Sequence, residues 1–190
     1  MFNNITTVYL FLIFIKDILF SMQIKKIVSL NFDKPEKRYI KYIIIHYTGM
    51  KNQKIAIQRL QSKVAKVSTH YLISKKGKIY QMVEDKNIAW HAGKSKFGKD
   101  VNLNSKSIGI ELVNNGKEKF TLKQIKNLCN LIKSLKNKHK IDKKYVLGHE
   151  HIAPGRKFDP GKFFPWSYLA KINLSKIYWN YSFFWIYSEC

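Results

Sequence analysis

The run Tyr42-Ile43-Ile44-Ile45-His46-Tyr47 decides the fold that this sequence predicts. Its three consecutive isoleucines are typical of a strand that is buried on both faces of a sheet. A histidine at the end of such a strand is either hydrogen-bonded in the core or projects from the sheet into a cleft. Taken alone, His46 is more often the hydrogen-bonded core residue.

Strand and helix patterns alternate on both sides of this run. Apolar residues at helical spacing predict a helix over 52–62, and Lys76-Gly77 joins two apolar segments that predict a hairpin. Strand patterns cover four further segments: 70–73, 79–83, 107–113 and 145–148. The alternation predicts a single α/β domain, in which helices pack on a mixed central β-sheet.

The clearest helix begins after Thr121. Thr121 and Gln124 form a capping box, in which each side chain accepts a hydrogen bond from a backbone N–H at the helix start. Apolar residues then recur every three or four positions, at Leu122, Ile125, Leu128, Cys129, Ile132 and Leu135. One face of this helix is therefore expected to be buried, with Cys129 as a buried free thiol.

The composition excludes some classes of site. Cys129 and Cys190 are the two cysteines of the chain, so we expect neither a disulfide framework nor a cysteine-based metal site. The formal net charge of +23 is compatible with binding to nucleic acid, anionic membrane or acidic polymer. However, the lysines are spread along the chain rather than clustered. This favours a compositional origin of the charge, and we predict no specific nucleic-acid partner.

The two ends of the chain differ from its middle. An apolar run over 8–15 ends at Lys16 and Asp17, which leaves it too short for a transmembrane helix. Three interpretations stay open: an export signal, an interfacial anchor that contacts the membrane, or an upstream extension before a start at Met22, which we favour. The predicted organisation is an extension over 1–21, the main domain over 22–170 and an aromatic tail over 171–190. We expect a cytoplasmic protein, with a periplasmic or membrane-anchored one as the alternative.

Residues able to do chemistry are concentrated in the segment 148–161, GHEHIAPGRKFDPG. It is too polar for a core and, with two prolines, too constrained for a flexible linker, and functional residues tend to lie on such loops. Two histidines and a carboxylate form the ligand set of a catalytic zinc site, where zinc lowers the pKa of water to about 7. Alternate residues of an extended segment point the same way, so His149 and His151 both stay open as partners of His46. The residues alone predict a metal site and leave its substrate open.

Four segments, in this order, resemble the zinc N-acetylmuramoyl-L-alanine amidases. This superfamily includes the anhydro-muropeptide amidases, amidase-type phage lysozymes and peptidoglycan-recognition proteins. The segments are 44–48 (IIHYT), 89–93 (AWHAG), 107–111 (SIGIE) and 148–161. The resemblance covers roughly 38–168. It implies hydrolysis of the amide bond between N-acetylmuramic acid and L-alanine in peptidoglycan or muropeptides, with Zn²⁺ as the cofactor.

The resemblance also selects the ligands. It implies that His46, His149 and Asp159 bind zinc at one edge of the sheet, because the ten-residue interval from His149 to Asp159 agrees with the family's loop. Many relatives carry an acidic residue at the position of His151, so this chain departs from the family there. An Asp as third ligand, rather than Cys, resembles the bacterial anhydro-muropeptide amidases.

Catalytic and substrate-contacting residues are implied in the same way. By resemblance, Glu111 takes a proton from the attacking water and returns it to the leaving nitrogen, while Lys157 donates to the oxyanion. Tyr47, Trp90 and His91 are implied to border the substrate groove. Without the resemblance, Glu111 is interpreted as a strand-end carboxylate that faces solvent, and Lys157 as one lysine among many.

Two other functions compete with this one. A peptidoglycan-binding module without catalysis is expected to lack ligands, yet the three ligands and the glutamate are present. A basic binder of membrane or nucleic-acid surfaces predicts a clustered basic stripe and leaves the matched loop unexplained. Among the remaining histidines, we expect His70 to be structural and His139, near the end of the capped helix, to be solvated.

Overall fold

A computed structural model describes residues 23–178 of the chain, so the predicted extension over 1–21 and residues 179–190 of the aromatic tail lie outside it. The strands are β1 (Ile24–Lys26), β2 (Phe32–Asp33), β3 (Tyr42–Tyr47), β4 (Tyr71–Ile73), β5 (Ile79–Gln81), β6 (Ile88–Ala89), β7 (Lys96–Phe97), β8 (Asp100–Val101), β9 (Ser107–Leu112) and β10 (Val146–Gly148). The α-helices are α1 (Gln53–Gln61), α2 (Leu122–His139), α3 (His149–Ile152) and α4 (Trp166–Lys171), and two 3-10 turns cover Leu103–Lys106 and Lys143–Tyr145. The predicted α/β class is confirmed.

Six strands form one mixed sheet in the order β1-β5-β4-β9-β3-β10. The pairs β3–β9, β3–β10 and β4–β9 are parallel, whereas the predicted hairpin β4–β5 is antiparallel. In the parallel register, His46 lies opposite Glu111, and Gly148 lies opposite Ile45. The carboxyl ends of β3, β9 and β10 therefore meet at one edge of the sheet, and the side chains that follow them are brought together there.

Strand β3 is buried on both faces, as its sequence predicts. Ile43 and Ile45 belong to the larger core cluster, which also holds the apolar stripe of α2 from Ile125 onwards. Ile44 points the other way, into a second cluster with Leu147 and Ile152. Because successive side chains of a strand alternate between faces, the same alternation places His46 on the Ile44 face, at the end of the strand.

The capping box of α2 is present. Thr121 Oγ1 accepts from the backbone N–H of Gln124 at 3.1 Å, and Gln124 Oε1 accepts from that of Thr121 at 3.2 Å. The Gln124 amide also donates to the carbonyl of Val113 at 3.0 Å, which ties the helix start to the end of β9. Cys129 is buried in the core as expected, and burial raises the pKa of its thiol to about 11. The prediction that Leu122 belongs to the buried stripe is wrong, because Leu122 lies in the first turn of the helix and is 89% exposed.

His139 is not solvated, contrary to the expectation from the sequence. Its side chain is 16% exposed, and its Nε2 lies 2.9 Å from Oδ2 of Asp85. Asp85 follows β5 and also accepts from Lys138 Nζ at 2.7 Å and Tyr71 Oη at 2.6 Å. The helix pattern does not reveal this contact, because Asp85 lies far from His139 in the sequence and meets it only when α2 packs on the sheet.

The ordered core continues beyond residue 170, where the main domain was predicted to end. Leu174 is buried in the larger core cluster, and its backbone N–H donates to the carbonyl of Leu169 at 2.8 Å. Tyr178 packs against Phe97 and His151. Within residues 23–178, no helix has both the length and the apolar character needed to cross a bilayer.

Asp85→Asn is expected to lower the free energy of unfolding by about 2 kcal/mol at neutral pH. Burial opposes ionisation of Asp85, but its hydrogen bonds from Lys138, Tyr71 and His139 outweigh it and lower the pKa from 3.8 to about 2. A lowered carboxyl pKa stabilises the folded state above about pH 4, and this stabilisation is lost as the pH falls towards 2. Urea unfolding at pH 7 and pH 3 measures the difference, which should shrink at pH 3. A difference that is the same at both pH values contradicts the ion-pair account.

Candidate active site

Three predicted ligand side chains converge at the carboxyl edge of the sheet. His46 Nδ1 lies 3.1 Å from His149 Nδ1 and 2.8 Å from Asp159 Oδ2, and His149 Nδ1 lies 3.1 Å from the same oxygen. All three residues are buried. Each offers one ligand atom, and these atoms lie within 4.8 Å of one another. His46, His149 and Asp159 therefore form a candidate site for a metal ion.

Local structure explains why His149 and not His151 joins this group. The segment was interpreted as extended, which is wrong: α3 is a single helical turn. Residues two apart in a helix are related by a rotation of about 200° around the helix axis, so their side chains point to nearly opposite sides. Only one of the two histidines can therefore face His46. His151 points to the other side, where its Nδ1 accepts from the backbone N–H of Gly148 at 2.9 Å and its ring contacts Trp166.

Asp159 is brought beside His149 by closure of the loop. Its carbonyl accepts from the backbone N–H of Glu150 at 2.9 Å, so the end of the loop returns to the start of α3. Gly148 permits this approach, because a Cβ there would lie only 2.6 Å from Cδ of Pro160. Any larger residue at position 148 would push the loop away from β10.

The electrostatics of the three ligand atoms are compatible with a cation between them. Burial lowers the pKa of His46 to about 4 against the opposing effect of Asp159. Burial also opposes ionisation of Asp159, but its close contacts with the rings of His149 and His46 hold its pKa below the usual range. His149 Nε2 lies 3.0 Å from the carbonyl oxygen of Ala92, which can only accept, so in the neutral ring the lone pair of Nδ1 faces the site. Nitrogen lone pairs and a carboxylate in mutual contact are the donor set that a metal ion satisfies.

Glu111 lies beside this group but does not join it. The sequence alone predicts a carboxylate that faces solvent; in the structure the residue is only partly exposed, and its Oε2 is buried with no hydrogen-bond partner among the described residues. Burial, reinforced by the charge of Asp159, raises the pKa of Glu111 to about 8. A buried carboxyl group with such a pKa is suited to accepting and returning a proton.

A cleft of about 360 Å³ gives access to these groups. Lys157 and the three residues predicted to border a groove, Tyr47, Trp90 and His91, all line it. Trp90 is held in place by a hydrogen bond from its Nε1 to Asp33 Oδ2 at 2.9 Å. His91 does more than line the cleft, because its Nδ1 lies 3.1 Å from Nε2 of His46. His70 is structural as expected: it is fully buried, and its Nδ1 accepts from the backbone N–H of Gly109.

Sequence reasoning missed two cationic residues of the cleft. Arg59 of α1 and Arg156 of the loop both line it, and a guanidinium nitrogen of Arg156 donates to the carbonyl of Ala92 at 3.1 Å. The sequence contains three arginines among its 35 basic residues. This scarcity is the signal that singles them out, because the planar guanidinium of arginine offers several donors in a fixed geometry that lysine cannot reproduce. The third, Arg38, donates to backbone carbonyls of two loops, including those of Ser105 and Asn104, each at 3.1 Å.

Comparisons with known proteins agree with this site. A family model described as N-acetylmuramoyl-L-alanine amidase matches residues 36–162. The chain is 38% identical over 148 residues to N-acetylmuramoyl-L-alanine amidase AmiD of Escherichia coli (strain K12), a match that covers 70% of this chain and 52% of AmiD. It is 34% identical over 170 residues to 1,6-anhydro-N-acetylmuramyl-L-alanine amidase AmpD of Haemophilus influenzae, covering 78% of this chain and 91% of AmpD. The chain thus spans about half the length of the first relative and most of the second.

Solved structures are similar in fold as well. The complex of Escherichia coli AmiD with the substrate anhydro-N-acetylmuramic acid-L-Ala-D-gamma-Glu-L-Lys has a TM-score of 0.68 and 35% identity, and covers 75% of this chain and 61% of that one. AmpDh3 from Pseudomonas aeruginosa in complex with anhydromuramic pentapeptide has a TM-score of 0.69 and 29% identity, and covers 77% of this chain and 64% of that one.

Proposed function

This chain belongs to the N-acetylmuramoyl-L-alanine amidase family, and from that premise we propose that it hydrolyses the amide bond between N-acetylmuramic acid and L-alanine, using one Zn²⁺. The observation that carries the proposal is the convergence of His46, His149 and Asp159 in one buried group, beside Glu111, whose Oε2 finds no hydrogen-bond partner within residues 23–178. Two histidines and one carboxylate are a catalytic zinc ligand set, with a further position open to substrate or water. Zinc bound there supplies a Lewis acid that activates water near neutral pH.

The remaining steps belong to residues of this chain. Glu111 accepts the proton of the attacking water and returns it to the amide nitrogen as the bond breaks. Its raised pKa, about 8, suits both transfers. Lys157 lines the cleft on the loop that carries Asp159, and its ammonium group stabilises the oxyanion that forms when the carbonyl is attacked.

The substrate class follows from the cleft and from the relatives. Both solved complexes contain an anhydromuramic acid peptide, and a muropeptide offers a sugar ring together with peptide carboxylates. Tyr47 and Trp90 supply aromatic surface for the sugar, and Arg59 and Arg156 supply positive charge for the carboxylates. We therefore propose muropeptides as substrates. The cytoplasmic location expected from the sequence stays a prediction.

Identification of the cleaved bond tests this proposal. Zinc-loaded protein is incubated with soluble anhydro-muropeptide and, separately, with intact peptidoglycan, and the products are identified by mass spectrometry. We expect peptides that begin with L-alanine and a sugar product with a free lactyl carboxylate. Protein stripped with a chelator is the control and should release neither until zinc is restored. Products cut at another bond, or equal release without metal, contradict the proposal.

A further inference from the structure

His46 has two ring nitrogens with different surroundings. Its Nδ1 faces His149 and Asp159, whereas its Nε2 lies 3.1 Å from Nδ1 of His91. A neutral imidazole carries one proton, so only one of these nitrogens offers a lone pair at a time. Whether His46 is able to bind a metal through Nδ1 therefore depends on which nitrogen of His91 carries a proton.

The direction of the hydrogen bonds beyond His91 is determined by a backbone carbonyl. His91 Nε2 lies 3.2 Å from Ser107 Oγ, and Ser107 Oγ lies 2.5 Å from the carbonyl oxygen of Leu103. A carbonyl oxygen only accepts, so the single hydroxyl proton of Ser107 is directed to Leu103. Ser107 then accepts from His91 Nε2–H, and Nδ1 of His91 accepts from Nε2–H of His46. Asp159 Oδ2, 2.8 Å from Nδ1 of His46, competes for the same proton unless a cation occupies the space between them.

We propose that Ser107 and His91 act as positioning residues that hold His46 in the tautomer with Nδ1 free for the metal. This inference rests on the proposed function, because it assigns a role towards the proposed zinc ion. The two histidine ligands are then oriented by different means. His149 donates to the carbonyl of Ala92 directly, whereas His46 reaches the carbonyl of Leu103 through two side chains.

The series of hydrogen bonds from His46 through His91 and Ser107 to the carbonyl of Leu103, which we call the relay, is built on strand β9. Ser107, Gly109 and Glu111 lie two residues apart, so they share one face of the strand. A Cβ at Gly109 would lie 2.5 Å from Cγ of His91, which means that the His91 ring packs directly on the backbone there. One face of β9 thus carries the hydroxyl that anchors His91, the space for its ring, and the carboxyl of Glu111. Ser107, Gly109 and Glu111, the alternate residues of the SIGIE segment, therefore each have a physical role at this face of the strand.

Zinc affinity of two variants tests the relay. His91→Phe keeps an aromatic ring but removes both nitrogens, and Ser107→Ala removes only the hydroxyl. We expect competition with a chromogenic chelator to show zinc binding weakened by about 10- to 100-fold in His91→Phe, the usual cost of losing a partner that orients a ligand, and by a smaller factor in Ser107→Ala. Ser74→Ala is the matched control, because Ser74 is also buried but its Oγ accepts from Lys78 in the hairpin. Its zinc affinity should equal that of the unmodified protein.

Nitrogen NMR of the zinc-loaded protein provides the second measurement. A long-range ¹H–¹⁵N spectrum should show the His91 proton on Nε2, with Nδ1 of His91 free to accept from His46, and Ser107→Ala should introduce the other His91 tautomer. A proton on Nδ1 of His91 in the unmodified protein overturns the inference, as do unchanged zinc affinities in both relay variants. If the unmodified protein binds no zinc, the proposed function fails; if it binds zinc and both relay variants bind it equally well, only the relay fails.

Discussion

Glu111→Gln is expected to lower kcat by about 100-fold or more while the zinc content stays unchanged. Glutamine keeps the shape of the side chain but cannot take the proton of the attacking water. Glu111 is not one of the three grouped ligand residues, so the substitution leaves the metal in place. Steady-state kinetics on a muropeptide, combined with metal analysis of the same sample, measure both quantities.

The thermal stability of metal-free Glu111→Gln is the control that separates loss of catalysis from loss of folding. Burial raises the pKa of Glu111 from 4.5 to about 8, so in the metal-free protein the carboxyl group destabilises the folded state increasingly as the pH rises above 4.5. Glutamine removes this cost, and the thermal unfolding midpoint of metal-free Glu111→Gln should not fall at pH 7. An unchanged kcat removes Glu111 from the mechanism. Loss of zinc from the variant shows instead that Glu111 supports the metal.

His149→Ala is expected to weaken zinc binding by more than about 100-fold, whereas His151→Ala keeps it. Partners that merely orient a ligand cost about 10- to 100-fold, and loss of a ligand costs more. His149 contributes Nδ1 to the group with His46 and Asp159, while Nδ1 of His151 accepts from the backbone at Gly148. Chelator competition measures the affinities of both variants.

Thermal unfolding with and without zinc separates metal binding from folding. A ligand that binds only the folded state raises its stability, so zinc should raise the unfolding midpoint of His151→Ala but not that of His149→Ala. Metal-free His151→Ala should itself be less stable than the unmodified protein, because it loses the contacts with Trp166 and Tyr178. Zinc retained by His149→Ala and lost by His151→Ala contradicts the assignment.

Local sequence determined most of the framework of this protein. The isoleucine run predicted β3 because a strand with apolar residues on both faces is stable only inside a sheet. Thr121 and Gln124 predicted the start of α2 because capping is a contact between neighbouring residues. For the ligands, the order and spacing of the four segments predicted, by resemblance, His46, His149 and Asp159, the three residues that the structure groups as a candidate metal site.

Only the tertiary structure decided the contacts between distant residues. The pairing of His139 with Asp85 depends on how α2 packs on the sheet, and the burial of Glu111 depends on the parallel register of β9 with β3. His91 reaches His46 because the backbone at Gly109 leaves room for its ring. The sequence shows which residues are able to donate, accept or pack. Which of them meet is determined by the sheet, because its register and its packed layers set the distances between segments that lie far apart in the chain.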